Sequence, residues 1–298
     1  MTTLACIIRP STPPAQVVPV ARAVEAAGVD EIWLWEDCFK AGGISAATAI
    51  LAATDHVRVG IGVLPTPLRN VALTAMEVAA VEGMFPGRLI PGIGHGVQSW
   101  MAQVGAKAAS PLTLMREYSA ALRALLGGER VTTSGRYVTL DDVALDWPPA
   151  RPVPVPVAAT GPKSLRLAGE VGDGVVLEGS VGLSGLPAVL ERLAEGRAAA
   201  GREDADFPVI QFVSGATGPD AVARLRADLT GWEMDVSDDA RLADYAVWGD
   251  APQLADGVRR YVEAGVTTVA VTPTEDDLPA MERLAATLGE ARELLGAS

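Results

Sequence analysis

The chain of 298 residues carries 37 acidic against 24 basic side chains, a formal charge of -13. That balance excludes nucleic acid and anionic membranes as general partners, and leaves an anionic ligand only a local cationic pocket. Hydrophobic residues make up 49% of the chain, enough for a large core in either two small domains or one large barrel.

The opening MTTLACII has no basic n-region and no long apolar segment with a cleavage site, so no signal peptide is expected. Residues 4–9 read as a first strand, Pro13 and Pro14 as loop, and Val17, Val20, Ala21 and Val24 as one face of a helix that Gly28 closes. Residues 31–37 (EIWLWED) form a second strand in which Trp33 and Trp35 share a face, so at least one of them belongs to the core. A small-residue helix over 45–54 follows, with Ser45 as its N-cap. Residues 57–64 are a third strand, 70–84 a helix, 88–94 a fourth strand and 111–126 a helix, after which VTTSGRYVTL reads as a hairpin. The run 89–106 lacks Asp, Glu, Lys and Arg, but its proline, histidine and glycines suit no membrane helix, so a soluble protein is expected. Cys6 and Cys38 allow a single pairing and point to a reducing, cytoplasmic compartment; no metal-ligand cluster stands out.

The fifth and sixth strands flank PVPVPVAATGPKSLRLAGEVGDGVVL, residues 152–177. Val153, Val155 and Val157 alternate with prolines, then Gly161-Pro162 ends the strand. Pro162 suits the first helical position, which leaves the amides of Lys163 and Ser164 pointing out of a helix N-terminus. Such a turn is a ready anion site, with Gly161 permitting close approach and Lys163 adding positive charge; an ordinary helix start would read the same way. Residues 207–214 and 267–272 complete the strands, and the acidic stretch 233–244 between them reads as a solvated face. Eight strands, each followed by helical sequence, predict one (β/α)8 barrel domain over residues 1–298, with a doubly wound sheet as the alternative. In a barrel, function gathers at the C-terminal strand ends, here Asp37 and Cys38, residues 65–69 and 95–100, the turn 160–164, and Glu178. His56 falls on the opposite rim.

The runs RVGIGVLPTPLRNVALTAMEVAAVEGMFPGRLIPGIGHG and AATGPKSLRLAGEVGDGVVL resemble the luciferase-like monooxygenase superfamily. So do WEDCF, GERVTTSGRYVTL and WGDAPQLADGVRRYVEAGVTTVAV, so that the likeness reaches most of the chain. Within the superfamily the chain is most similar to the branch using the deazaflavin coenzyme F420, which includes the methylenetetrahydromethanopterin reductases. The resemblance implies a barrel holding the deazaflavin ring over its C-terminal mouth, with the cofactor phosphate on Thr160, Gly161, Pro162, Lys163 and Ser164. It implies ring contacts from Asp37, Gly94 and His95, and a bulged third strand with a cis peptide bond between Gly62 and Val63. It implies a homodimer as well.

Two departures limit what is carried across. Several deazaflavin members have Asp-His where this chain has Asp37-Cys38, and the sugar-phosphate dehydrogenases have an acid where it has Val97. His95 is then the candidate proton donor, because imidazole titrates near neutral pH and its glycine neighbours let a ligand approach; the alternative is that it only hydrogen-bonds the phosphate or ring. Asp37 is a ring-side hydrogen bonder or a simple cap, while Cys38, Trp100 and Glu178 are candidates for the substrate pocket. Cys38 reads equally as a small buried hydrophobe, and Glu178 as a solvated carboxylate. The expected activity is hydride transfer between F420 and a small organic substrate. FMN-dependent monooxygenase chemistry and non-catalytic flavin binding are the alternatives.

Overall fold

A computed structural model of the chain describes residues 2–296. Its strands are β1 (Thr3–Ile7), β2 (Glu31–Leu34), β3 (Arg58–Pro65), β4 (Leu89–Gly94), β5 (Val131–Ser134), β6 (Thr139–Val143), β7 (Val157–Ala158), β8 (Val175–Leu177), β9 (Val209–Ala216), β10 (Ala246–Trp248) and β11 (Thr268–Pro273). Eight of them close a parallel barrel in the order β1-β2-β3-β4-β7-β8-β9-β11, with β11 returning to β1. Each is followed by helix, and the outer face of each strand packs on that helical layer in one continuous core. Among the described residues no helix is long and apolar enough to cross a membrane.

The barrel interior is a second, smaller cluster of Ala5, Ile7, Trp33, Val176, Ile210, Phe212 and Ala270. Trp33 is fully buried there and Trp35, two residues on along the same face, is half-buried above it. The indole of Trp33 lies so close to β3 that a Cβ on Gly60 would come within 2.3 Å of it, so only glycine fits. The Trp33 Nε1 donates to Glu31 at 2.7 Å, and Arg58 also bonds that carboxylate, so the buried acid at the bottom of the barrel is satisfied.

Three elements differ from the sequence reading. The run 152–156 is not a laddered strand, since Pro154 and Pro156 have no amide to donate; only Val157–Ala158 pairs, and Val155 donates instead to the Asp173 carboxylate. The small-residue helix begins at Gly43 with Gly42 as its N-cap, and Ser45 donates to the Gly42 carbonyl rather than capping. Strand β10 was not expected at all. It covers the upper edge of β9, residues 214–216, which the three-residue β8 is too short to reach. The acidic stretch before it is only partly solvated, because Asp244 accepts from the amide and hydroxyl of Ser184. The β5–β6 hairpin is present as read.

Strand β3 is bulged against β4 between Ile61 and Leu64, and the Gly62–Val63 peptide bond within that bulge is cis, as the resemblance implied. A second non-prolyl cis bond, Cys38–Phe39, lies in the loop after β2.

Candidate active site

Along β4, the position of Gly94 faces the barrel axis, where a Cβ would meet Val63 at 2.3 Å and Ala158 at 3.5 Å. His95 follows the end of the strand, outside the ladder. Its ring lies against the Pro111 carbonyl at the start of the helix Pro111–Leu126, and its Nδ1 is buried without a partner. Burial holds the imidazole pKa below its ordinary 6.5, the Pro111 carbonyl opposing only in part, so the ring is neutral at pH 7. The His95 and Gly96 carbonyls both accept from Gln98 Nε2 at 3.2 Å, which fixes the turn into the short helix Gln98–Gln103. Trp100 is half-buried on that helix.

The loop after β2 crosses the mouth beside the bulge. Asp37 forms an antiparallel bridge with Ala41, and its carbonyl accepts from the Lys40 amide at 2.8 Å, so residues 37–41 make a closed turn. Asp37 and Cys38 are both half-buried in it. Burial, then the nearby carboxylates of Glu36 and Asp37, push the Cys38 thiol up from 9.0, so it remains a protonated thiol at neutral pH.

Glu36, which sequence reasoning passed over, holds this loop in place. Its carboxylate accepts from the Gly43 amide at 2.7 Å and from Arg69 at 2.9 Å, while its own amide reaches the Val63 carbonyl at 3.4 Å. Arg69 in turn bonds Glu77 at 2.6 Å on the helix Val71–Met84. The loop bearing Asp37, the β3 bulge and that helix are thus tied through one guanidinium. No local signal marks the pair, which forms only because β2 and β3 are neighbours in the barrel.

Across the mouth, the turn after β7 has the form the sequence suggested. Gly161 is the N-cap of the helix Pro162–Val171, no side chain caps it, and the space where its Cβ would stand is open. Lys163 is exposed, without an ion-pair partner among the described residues, and Ser164 is half-buried beside it; Thr160 is exposed. An uncapped helix N-terminus with a free ammonium in a chain of charge -13 fits a phosphate group. Glu178, at the end of β8, is exposed and accepts from the Ser180 hydroxyl at 2.7 Å. The structure brings together Asp37 and Cys38 in one turn and Gly62, Val63 and Gly94 at the bulge, with residues 160–164 at the end of β7, two strands on; Trp100 and Glu178 follow the ends of β4 and β8.

Comparison with known proteins gives this geometry a context. A model of the luciferase-like monooxygenase family matches residues 2–232. The chain is 31% identical over 212 residues to a 5,10-methylenetetrahydromethanopterin reductase of Methanolobus tindarius, a match spanning 71% of this chain and 64% of that protein. It is also 31% identical over 264 residues to an F420-dependent glucose-6-phosphate dehydrogenase of Beutenbergia cavernae, spanning 80% of this chain and 79% of that one. A solved F420-dependent secondary alcohol dehydrogenase, in complex with an F420-acetone adduct, superposes with a TM-score of 0.86 at 21% identity, covering 98% of this chain and 99% of the other.

Proposed function

The chain belongs to the luciferase-like monooxygenase family, and from that premise we propose that it is an oxidoreductase transferring a hydride between coenzyme F420 and a small organic substrate. The observation that carries the reading is the open, uncapped turn at residues 161–164, two strands round the barrel rim from the bulged strand β3. The sequence likeness to F420-dependent relatives supports the choice of cofactor.

The residues present fit such a cofactor. The amides at Lys163 and Ser164, the Lys163 ammonium and the Thr160 and Ser164 hydroxyls would hold its phosphate, with Gly161 and Pro162 shaping the turn. Gly62, Val63 and Gly94 would form the wall against its ring, and Asp37 would hydrogen-bond the ring edge. When bound, a deazaflavin supplies a two-electron hydride carrier. His95, at the end of β4, is the residue that would deliver the accompanying proton. Cys38, Trp100 and Glu178 line the approach of the substrate.

We assign the protein to the cytoplasm, since both cysteines are free and Cys6 is buried with its thiol pushed up to about 12. A homodimer is supported by the helix Val71–Met84, which leaves the large apolar side chains Leu73, Met76 and Met84 exposed. Met76→Glu is expected to shift the sedimentation coefficient to that of a monomer; an unchanged value removes this face as the interface.

Titration of the protein with F420 and with FMN, followed by cofactor fluorescence, tests the main reading. F420 is expected to bind and its reduced form to be oxidised by an organic acceptor. Binding of FMN alone, with oxygen consumption, favours monooxygenase chemistry, and F420 binding without turnover across an acceptor panel favours a carrier role.

A further inference from the structure

Between the helices Pro14–Ala26 and Gly43–Ala53, at the C-terminal ends of β1 and β2, lies a cavity of about 370 Å³. At about 30 Å³ for each water-sized group it has room for roughly twelve, whereas close-packed interiors leave few voids larger than one water. The sequence makes this space. One side carries Val17, Val18 and Leu34, while every lining residue between positions 41 and 49 is glycine, alanine or serine. Ala46 and Ala49, three residues apart, present one face of their helix to the cavity, and two methyl groups there leave open what larger side chains would fill.

The cavity adjoins the candidate active site on two sides. Lys40 and Ala41, in its lining, belong to the turn at residues 37–41 that holds Asp37 and Cys38. Trp35, also in the lining, packs against the barrel-interior cluster, with its ring centroid 5.9 Å from that of Phe212. One indole therefore borders both the cavity and the barrel interior beneath the mouth. Charge does not define the space: Arg9 is engaged by Asp276 at 2.6 Å, Lys40 is exposed to solvent, and no carboxylate lines the walls among the described residues.

Resting on the reading of the chain as an F420-dependent oxidoreductase, we propose that this cavity receives the body of the substrate. The substrate is an uncharged molecule whose reacting carbon lies at the barrel mouth, while a compact hydrocarbon portion fills the space beside Trp35. The walls gain by covering apolar surface, and they offer a charged group nothing in place of its water. Trp35, Ala46 and Ala49 are then specificity-determining residues: the indole fixes where the body turns off the mouth, and the two alanines set how large it can be.

The test measures displacement of N-phenyl-1-naphthylamine, an uncharged fluorescent probe, from the full chain by acetone, cyclohexyl methyl ketone and 1-adamantyl methyl ketone, with F420 binding titrated in parallel. Each step up in size is expected to tighten binding at least about tenfold, and adamantane-1-carboxylate, the same cage bearing a charge, to bind at least about tenfold more weakly than the adamantyl ketone. For any of these ketones that the protein reduces, KM should fall with size while kcat stays level, as expected of binding that is equal in ground and transition states. Ala46→Phe, which fills the cavity, is expected to remove the size preference with F420 affinity unchanged; if it does not fold, Ala49→Trp, at an exposed position of the same helix face, closes the opening. Binding indifferent to size, a carboxylate that binds as well as the ketone, or a size preference that survives the blocking substitution would each overturn the pocket and leave the reaction standing where F420 binds. Ketones that displace the probe from a chain to which F420 does not bind would overturn the substrate role and the reading of the reaction together.

Discussion

Replacing Arg69 by Met tests whether the loop bearing Asp37 is held electrostatically. The Arg69 side chain is 17% exposed, and its partners Glu36 and Glu77 are 10% and 29% exposed. Burial alone would lower the guanidinium pKa, yet the bonds and charge of Glu36 and Glu77 carry it above its ordinary value, so the cation is firmly kept. Methionine fills much of the same volume but leaves Glu36 with only the Gly43 amide. Stranding one member of a buried pair costs roughly 3 to 5 kcal/mol, and the residual solvent access here brings the expectation to about 2 to 4 kcal/mol. In a chain of this size that corresponds to a fall in the melting midpoint of roughly 3 to 6 °C. Urea denaturation should give the loss with an unchanged slope. Adding Glu36→Gln removes the stranded charge while keeping an acceptor for the Gly43 amide, so the double variant should recover at least about 0.5 kcal/mol of the loss. A single variant within about 0.5 kcal/mol of the parent, or strict additivity in the pair, would refute the reasoning.

Lys163→Glu should weaken F420 or FMN binding by about 1 to 3 kcal/mol, measured by fluorescence titration; unchanged affinity removes the phosphate assignment. His95→Gln should abolish turnover with cofactor affinity retained. Because burial holds the His95 pKa below 6.5, turnover that needs the imidazolium should rise as pH falls through that lowered value, and loss of cofactor binding in the variant would instead make His95 a binding residue. The Glu31 pKa is raised above 4.5 by burial, which outweighs Arg58 and the Trp33 bond. Between 4.5 and that raised value the folded state holds a proton that the unfolded chain has released, so stability falls as pH rises through this window. Glu31→Gln keeps an acceptor for Trp33, and its unfolding free energy relative to the parent should therefore improve with rising pH; a pH-independent difference would show that Glu31 is not the source.

The barrel strands were legible because each signals itself locally. An apolar run such as VVL at 175–177, bounded by Asp173-Gly174 and Glu178, needs no knowledge of its neighbours, and the outer helices repeat at helical period. The turn at residues 161–164 was legible for the same reason, since Gly-Pro before a helix states its own geometry. Glu36 and Arg69 were not. Nothing within a few residues of either distinguishes a paired charge from a solvated one, and only closure of β2 against β3 brings them to 2.9 Å. The packing of His95 was likewise hidden, because the sequence placed it at the strand end but not against the Pro111 carbonyl, sixteen residues on. The prolines at 154 and 156 misled in the other direction, supporting an extended chain without the amides a ladder requires.

The closed ring also explains how so acidic a chain receives anions at all. Several carboxylates near the mouth are paired with cations: Glu36 and Glu77 with Arg69, and Asp276 with Arg9. Lys163, without an ion-pair partner among the described residues, sits at a helix N-terminus, where backbone dipoles add to its charge. Pairing of those acids keeps their charge from offsetting that of the turn. Breaking a pair such as Glu36 with Arg69 would therefore act on ligand binding beyond its own loop, by returning an uncompensated negative charge to the mouth. On this argument Arg69→Met should weaken F420 binding at residues 161–164 as well as destabilise the fold, and the double variant with Glu36→Gln should restore the affinity. Recovery of stability without recovery of F420 affinity would show that binding depends on the loop's shape and not on the local balance of charge.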